Sequence, residues 1–133
     1  MSVRILIVED DENTMHLLKV TLTHRQYQVE TALDAYAAQK YLSKNVPDLL
    51  LVDIMMPGMN GMDLCRWVRS QPAIKDLPII QMSALGDEAT IQDSFEAGVM
   101  DYIVKPINFD VLYKKIELAF SRSNRRKEMG NGQ

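Results

Sequence analysis

The sequence predicts an α/β fold, a doubly wound parallel sheet of five strands flanked by five helices. Short β-branched runs alternate along the chain with amphipathic stretches, which is the pattern of parallel strands joined by helical crossovers. Two of the runs, Asp48–Val52 and Pro78–Met82, are largely apolar, as expected of strands buried on both faces. Right-handed crossovers then place helices on both sides of the sheet.

Five runs are the predicted strands. In chain order they are Val3–Val8, Tyr27–Ala32, Asp48–Val52, Pro78–Met82 and Tyr102–Val104. The first is almost entirely Val, Ile and Leu, whereas the second carries a weaker apolar signal. The last is short and ends just ahead of Pro106.

A helix is predicted after each strand, and four of the five have a side chain that can cap the first turn. The helices run from a cap at Asn13 to about Thr23, from a cap at Asp34, over Gly61–Ser70, from a cap at Asp87 to near Gly98, and from a cap at Asn108 to about Phe120. In the first helix Met15, Leu18 and Leu22 share one face, as expected of a helix packed on a sheet.

Residues 1–120 are predicted to form one domain, and residues 121–133 a polar, basic tail or the start of a linker. The chain has 133 residues, which is the size of a single ordinary domain. The tail contains Arg122, Arg125, Arg126 and Lys127, followed by Gly130 and Gly132. This composition is typical of a fraying helix end that leads into a flexible segment.

Composition excludes several classes of protein. A net charge of −3 argues against a nucleic-acid surface over the whole domain. The single cysteine, Cys65, allows no intrachain disulfide and is expected to be a reduced core thiol. The apolar runs are too short to span a bilayer, and acidic residues follow the first of them at once, unlike a signal peptide. We expect a cytoplasmic protein.

Polar side chains follow four of the five predicted strands. The set comprises Glu9, Asp10, Asp11 and Glu12 after the first strand, Asp53 after the third, Ser83 after the fourth and Lys105 after the fifth. Ligands of such a sheet bind at the carboxyl ends of its strands, so we expect these residues to meet there. Converging carboxylates repel one another unless they bind a cation, and a hard site built from oxygen atoms suits Mg²⁺.

The same positions suit phosphoryl chemistry. Ser83 offers a neutral hydrogen-bond donor and Lys105 a point charge, and together they are able to hold the oxygens of a phosphoryl group. Asp53 is then a candidate nucleophile that forms an aspartyl phosphate. Each residue taken alone also fits a turn, a cap or a solvated position, so the prediction rests on their convergence at strand ends.

Four segments carry a resemblance to a known family. They are Ile5–Asp11, Leu49–Gly61, Pro78–Ala84 and Asp101–Pro106. In this order and at this spacing, the chain resembles response-regulator receiver domains of two-component signalling over about Val3–Phe120. The resemblance implies a flavodoxin-like sheet with strand order 2-1-3-4-5.

The resemblance also implies roles for the site. Asp53 is expected to accept a phosphoryl group from a phosphohistidine of a sensor histidine kinase or a histidine phosphotransfer protein, as in a two-component or phosphorelay system. Asp10 and Asp53 are expected to bind Mg²⁺, Glu9 to bind it through water, and the backbone carbonyl of Met55 to complete the ligands. Asp11, the next acid along, is the weaker candidate for the acidic pair.

The remaining implied roles concern the response to phosphorylation. Lys105 is expected to contact the phosphoryl group and Ser83 to bond it after transfer. Tyr102 matches the switch aromatic that turns inward when Ser83 moves, and the Lys105–Pro106 peptide is expected to be cis. The surface expected to change is the fourth helix, fifth strand and fifth helix. The chain would thus be a signalling switch, catalysing only its own phosphorylation and dephosphorylation, and no enzyme for other substrates.

Three other interpretations remain open at this point. A phosphatase of the haloacid dehalogenase type also uses an Asp nucleophile with Mg²⁺, but Met55 stands where it needs a second Asp. A flavin- or nucleotide-binding module shares this fold, but it needs a Gly-rich or hydroxyl-rich loop after the first strand, where Glu9–Glu12 is acidic. A receiver-like interaction module that is never phosphorylated retains the fold without the chemistry.

The partners implied are a kinase or phosphotransfer protein and an output domain or partner protein that the sequence does not name. The predicted fourth helix, Asp87–Gly98, contains no Lys or Arg. Receivers of the winged-helix transcription-factor type carry basic residues there for dimer contacts, so direct DNA binding by this domain is not expected. No membrane contact is expected, and a homodimer remains open.

Overall fold

The computed structural model describes residues 3–56 and 58–131, with side chains described as far as residue 121. Five strands alternate with five helices, as the sequence predicts. The strands are β1 (Arg4–Val8), β2 (Gln28–Ala32), β3 (Leu49–Asp53), β4 (Ile79–Ser83) and β5 (Asp101–Val104). The helices are α1 (Glu12–His24), α2 (Ala35–Leu42), α3 (Gly61–Ser70), α4 (Glu88–Glu96) and α5 (Phe109–Asn131).

The strands form one parallel sheet in the order β2-β1-β3-β4-β5, which confirms the predicted doubly wound, flavodoxin-like topology. Helices cover both faces of this sheet, because residues that alternate along each strand enter two separate apolar clusters. Leu6, Val8, Leu50 and Val52 pack with α2 and α3. Ile5, Ile7, Leu49 and Leu51 pack with α1 and α5 on the other face. The central strands β1 and β3 are therefore buried on both sides.

Side-chain caps fix the starts of the helices. Asp34 accepts from the amide of Ala37 and Asp87 from that of Thr90, as predicted. Asn108 Oδ1 accepts from the amide of Val111 at 3.2 Å, also as predicted. The predicted cap at Asn13 is wrong.

The residue that caps α1 is Asp11, whose side chain accepts from the amide of Thr14. The helix begins at Glu12, so Asn13 already lies inside the first turn, where its side chain is no longer in a capping position. Asp and Asn cap equally well, and for this reason the sequence alone did not separate the two positions.

The last helix is longer than predicted, because α5 continues to Asn131 where the sequence indicated an end near Phe120. Residues 121–129 contain neither Gly nor Pro, and their Arg, Lys, Glu and Met residues are good helix formers. Of the predicted tail, residues 132 and 133 lie outside the described residues. Among the helices that the structure describes, none is both long and apolar enough to cross a bilayer.

Candidate functional site

Three strands bring acidic and basic side chains to the carboxyl edge of the sheet. Glu9 follows β1, Asp53 is the last residue of β3, and Lys105 follows β5. The amide of Glu9 donates to the carbonyl of Ala32 at 3.1 Å, which extends the pairing of β1 with β2 by one residue. Glu9 is wholly buried and Asp53 is 4% exposed, so the sheet fixes both carboxylates.

The carboxylates of Glu9, Asp10 and Asp53 converge. One oxygen from each lies within 4.8 Å of the others. Asp10 is exposed to solvent, so the cluster opens to the surface on that side. The prediction that acids after β1 and β3 meet at one place is confirmed for Glu9, Asp10 and Asp53, whereas Asp11 and Glu12 belong to the start of α1.

Lys105 joins two of these acids. Its Nζ donates to Oε1 of Glu9 at 2.6 Å and to Oδ2 of Asp53 at 3.2 Å. Burial by itself would lower the pKa of Lys105, but the hydrogen bond to Glu9 and the charges of both carboxylates raise that pKa above its ordinary value. Lys105 is therefore a cation at neutral pH, fixed beside Asp53.

Glu9 has a raised pKa and a buried carboxylate oxygen without a hydrogen-bond partner among the described residues. Burial, together with the neighbouring Asp53 carboxyl, raises the pKa of Glu9 to about 7, and Lys105 opposes this shift. Its second oxygen, Oε2, is buried and has no hydrogen-bond partner within the part of the chain that the structure describes. A buried carboxylate oxygen without a partner is a place where a cation or its bound water fits.

The loop that follows Asp53 and the start of α3 also contact this residue. The amide of Met55 donates to Oδ1 of Asp53 at 3.1 Å. Gly61, the first residue of α3, lies directly behind this loop, and a Cβ there would stand 2.3 Å from the carbonyl oxygen of Asp53. Only glycine allows α3 to begin this close to the end of β3.

Ser83 and the Lys105–Pro106 peptide complete the edge. Ser83 is 5% exposed, and its Oγ accepts from the amide of Leu85 at 2.9 Å. The amide of Lys105 donates to the carbonyl of Ser83 at 2.7 Å, which joins the ends of β4 and β5. The Lys105–Pro106 peptide is cis, as predicted.

Tyr102 is the second residue of β5. Its ring is half-buried and packs edge-on against Phe95 of α4, with 5.8 Å between ring centroids. Lys115 of α5 lies 5.4 Å from the same ring and pairs with Asp101 at 2.8 Å. Tyr102 thus contacts both of the helices that flank β5.

The structure brings some of the predicted site residues together and leaves others apart. Glu9, Asp10, Asp53 and Lys105 form one cluster, and Ser83 joins it through the backbone of Lys105. Asp11 caps α1 and lies outside the cluster. Sequence analysis did not single out Gln81, a buried polar residue of β4. The signal that marks it is a Gln inside an otherwise apolar strand.

The donor set fits a magnesium ion. Three carboxylates supply oxygen ligands, one of them is open to water, and a buried oxygen of Glu9 lacks a partner among the described residues. Mg²⁺ binds through one or two carboxylates and keeps several waters, which such a half-open cluster permits.

Comparison with known proteins places this fold in a family. The family described as the response regulator receiver domain matches residues 5–117. Response regulator PleD of Caulobacter vibrioides is 35% identical over 116 residues, which are 87% of this chain and 26% of that protein. Regulatory protein VanRB of Enterococcus faecalis is 37% identical over 123 residues, 92% of this chain and 54% of that protein. The chain therefore spans between about a quarter and about half of these relatives.

Solved structures of receiver domains and response regulators are also similar to this chain. The receiver domain of a signal transduction histidine kinase from Syntrophus aciditrophicus superposes with a TM-score of 0.84 at 36% identity, covering 90% of this chain and 91% of that one. Chemotaxis response regulator CheY4 of Vibrio cholerae gives 0.85 at 28% identity, covering 90% and 99%.

Fold and site together define an α/β signalling domain with an acidic pocket at the carboxyl edge of its sheet. The chain belongs to the response regulator receiver domains of two-component systems, a family of signalling switches that histidine kinases phosphorylate and that bind Mg²⁺ at an acidic pocket.

Proposed function

We propose that Asp53 is the phosphoacceptor of this receiver domain. The observation that carries the proposal is the position of the Asp53 carboxylate, 3.2 Å from the Lys105 ammonium and within 4.8 Å of the oxygens of Glu9 and Asp10. In the reaction a carboxylate oxygen of Asp53 attacks the phosphorus of a phosphohistidine. An O–P bond forms, the P–N bond breaks, and the histidine ring leaves with its electron pair restored.

The residues around Asp53 have separate tasks in this reaction. Lys105 is a cation fixed beside the carboxylate, and it stabilises the negative charge of the incoming phosphoryl oxygens. The amide of Met55 holds one Asp53 oxygen at 3.1 Å and so orients the carboxylate. Ser83, beside Lys105 along the edge, would supply a hydroxyl donor for a phosphoryl oxygen, because its Oγ only accepts from the Leu85 amide and its O–H can still donate.

Asp10 and Asp53, with the backbone carbonyl of Met55, would hold Mg²⁺, and Glu9 would contact it through water. The support is the convergence of the three carboxylates and the unpartnered Oε2 of Glu9. When bound, Mg²⁺ neutralises charge between the carboxylates and the phosphoryl group. The ends of β1 and β3 hold the acids close together although their charges repel one another.

Phosphorylation would be read out through Ser83 and Tyr102. Movement of Ser83 toward the phosphoryl group would open space into which Tyr102 turns, and this would alter the surface of α4, β5 and α5. The switching unit would be residues 1–120, with residues 121–133 as a polar, basic tail or the start of a linker. The partners would be a sensor histidine kinase or histidine phosphotransfer protein in the cytoplasm and an output domain or protein, with a homodimer as one form of readout.

The test is phosphorylation by a small donor. The protein is incubated with acetyl phosphate and Mg²⁺, and the intact mass is measured. We expect one phosphoryl adduct that requires Mg²⁺ and is absent in Asp53→Asn. The matched control is Asp63→Asn, since Asp63 is an exposed carboxylate that pairs with Arg66 on α3 away from the cluster, and this variant should be phosphorylated like the wild type.

The outcomes separate the candidate functions. If folded wild-type protein forms no adduct and does not bind beryllofluoride, a phosphoryl mimic, the chain is a receiver-like interaction module. An adduct that persists in Asp53→Asn places the acceptor elsewhere and contradicts the proposal. Steady release of phosphate from added phosphomonoesters would favour an Asp-nucleophile phosphatase instead.

A further inference from the structure

Gln81 is a polar residue buried in the middle of β4. It is 1% exposed, and its amide nitrogen Nε2 has no hydrogen-bond partner among the described residues. Burying an amide donor without a partner destabilises a fold, so such groups are rare and each one requires a physical explanation. The proposed phosphotransfer reaction makes no use of this group.

The sheet places Gln81 directly beside Tyr102. The two residues are register partners on the parallel strands β4 and β5. Their chain neighbours Met82 and Ile103 pack in the apolar cluster on the α1 and α5 side. Since successive residues of a strand face opposite sides, Gln81 and Tyr102 both face the α4 side.

The Tyr102 hydroxyl would also need a hydrogen-bond partner if it became buried. The ring is now half-buried against Phe95 of α4. If the ring turns inward as the proposed function requires, it moves toward β4 and carries a phenolic oxygen into the buried layer. A buried tyrosine hydroxyl needs a hydrogen-bond partner. Neighbouring strands lie about 4.8 Å apart, and both side chains are long enough to cross that gap.

We propose that Gln81 is a positioning residue of the switch, whose Nε2 donates to the Tyr102 hydroxyl when the ring turns inward. This inference rests on the proposed function. In the resting protein the Gln81 donor has no partner among the described residues, and in the switched protein the same donor and the buried phenol satisfy each other. The bond therefore favours the switched state and strengthens phosphoryl binding, although Gln81 does not touch the phosphoryl group.

A double-mutant cycle tests this coupling. The affinity for beryllofluoride at saturating Mg²⁺ is measured by NMR titration in wild type, Gln81→Met, Tyr102→Phe and the double variant. Met matches Gln in length and suits an apolar layer. We expect Gln81→Met to weaken beryllofluoride binding roughly three- to tenfold when Tyr102 is present, the size of one net hydrogen bond. In the Tyr102→Phe background the same substitution should change the affinity by less than about twofold.

A second observable does not depend on the variants. The side-chain amide signals of Gln81 should shift and become protected from hydrogen exchange when beryllofluoride is added to the wild type.

The matched control for the affinity measurements is Ser94→Ala on α4. Ser94 is also a buried polar residue, but its hydroxyl already donates to the carbonyl of Thr90 at 2.9 Å. Its effect on affinity should be small and independent of the Tyr102 hydroxyl.

The outcomes are distinct. A loss of affinity from Gln81→Met that is equal with and without the Tyr102 hydroxyl, or no loss in either background, would overturn the inference while leaving the proposed function intact. If wild-type protein does not bind beryllofluoride, or if Asp53→Asn binds it equally well, the proposed function fails and the inference fails with it.

Discussion

The centre of the sheet and its β5 edge are built differently. Every residue of β3 is buried, as is β1 from its second residue. Asp53 is the last residue of β3, and the buried Glu9 follows β1 directly. At the other side only Ile103 of β5 is buried, and within α4, all of which the structure describes, Ser94 is the one buried residue. Elements with few buried apolar contacts open most readily. The proposed acceptor Asp53 and its neighbour Glu9 therefore lie on the well-packed part of the molecule, and the surface proposed to respond lies on the weakly packed part.

The largest expected loss of stability comes from removing a buried side chain of the central sheet. Leu51→Ala removes a wholly buried side chain of β3 and should lower the free energy of unfolding by about 3 kcal/mol. Phe95→Ala removes a larger side chain that is 45% exposed on α4, and it should lower that free energy by less than about 1.5 kcal/mol. Urea denaturation of both variants measures the difference. Equal losses would contradict the contrast between the two regions.

The next effect tests how tightly the Asp53 loop is packed. Gly61→Ala places a Cβ 2.3 Å from the backbone oxygen of Asp53, so backbone must move. We expect a loss of about 2–3 kcal/mol in unfolding free energy, as in overpacked cores, and slower phosphorylation of the displaced Asp53. The matched control is Gly86→Ala, because a Cβ there meets only the Val104 side chain, at 3.3 Å. A Gly61→Ala variant as stable as that control would show that the loop is loose.

A smaller effect is expected at the junction between the two regions. The guanidinium of Arg69 on α3 donates to the carbonyl of Gly98, after α4, at 2.6 and 2.9 Å, and to that of Leu77 at 2.7 Å. Arg69→Met should lower the unfolding free energy by about 1–2 kcal/mol.

The same variant should speed hydrogen exchange in α4 and β5 more than in β1 and β3. The matched control is Arg66→Met, which removes an exposed i,i+3 pair with Asp63 and should change stability by less than about 0.5 kcal/mol. If exchange in Arg69→Met rises evenly along the chain, Arg69 does not act as a local anchor of α4.

The smallest expected effect is the release of a proton from Glu9 when Mg²⁺ binds. Because burial raises the pKa of Glu9 to about 7, this group carries a proton below that pH in the metal-free protein. Mg²⁺ requires the ionised form, so its binding should release close to one proton at about pH 6 and almost none at about pH 8. Calorimetric titration in two buffers of different ionisation enthalpy counts these protons. Glu9→Gln should abolish the pH dependence, and its persistence would assign the proton to another group.

Sequence patterns predicted the fold and the acidic cluster because both follow from local signals. Apolar runs mark β1, β3 and β4, and an acid after a parallel strand must lie at the carboxyl edge of the sheet. The helix boundaries were less predictable, because Asp11 and Asn13 cap equally well and nothing in residues 121–129 ends α5. The contact of Lys105 with Glu9 and the unpartnered amide of Gln81 depend on side-chain packing, which spacing along the chain does not reveal.

The most direct test of the account is hydrogen exchange followed by mass spectrometry, with acetyl phosphate and Mg²⁺ present or absent, on wild type and Asp53→Asn. We expect phosphorylation to change exchange in residues 84–120 of the wild type, to leave β1 and the part of β3 before Asp53 unchanged, and to have no effect in Asp53→Asn. Equal changes in β1 and β3, or the same changes in Asp53→Asn, would contradict a rigid site at Asp53 that acts on a weakly packed surface.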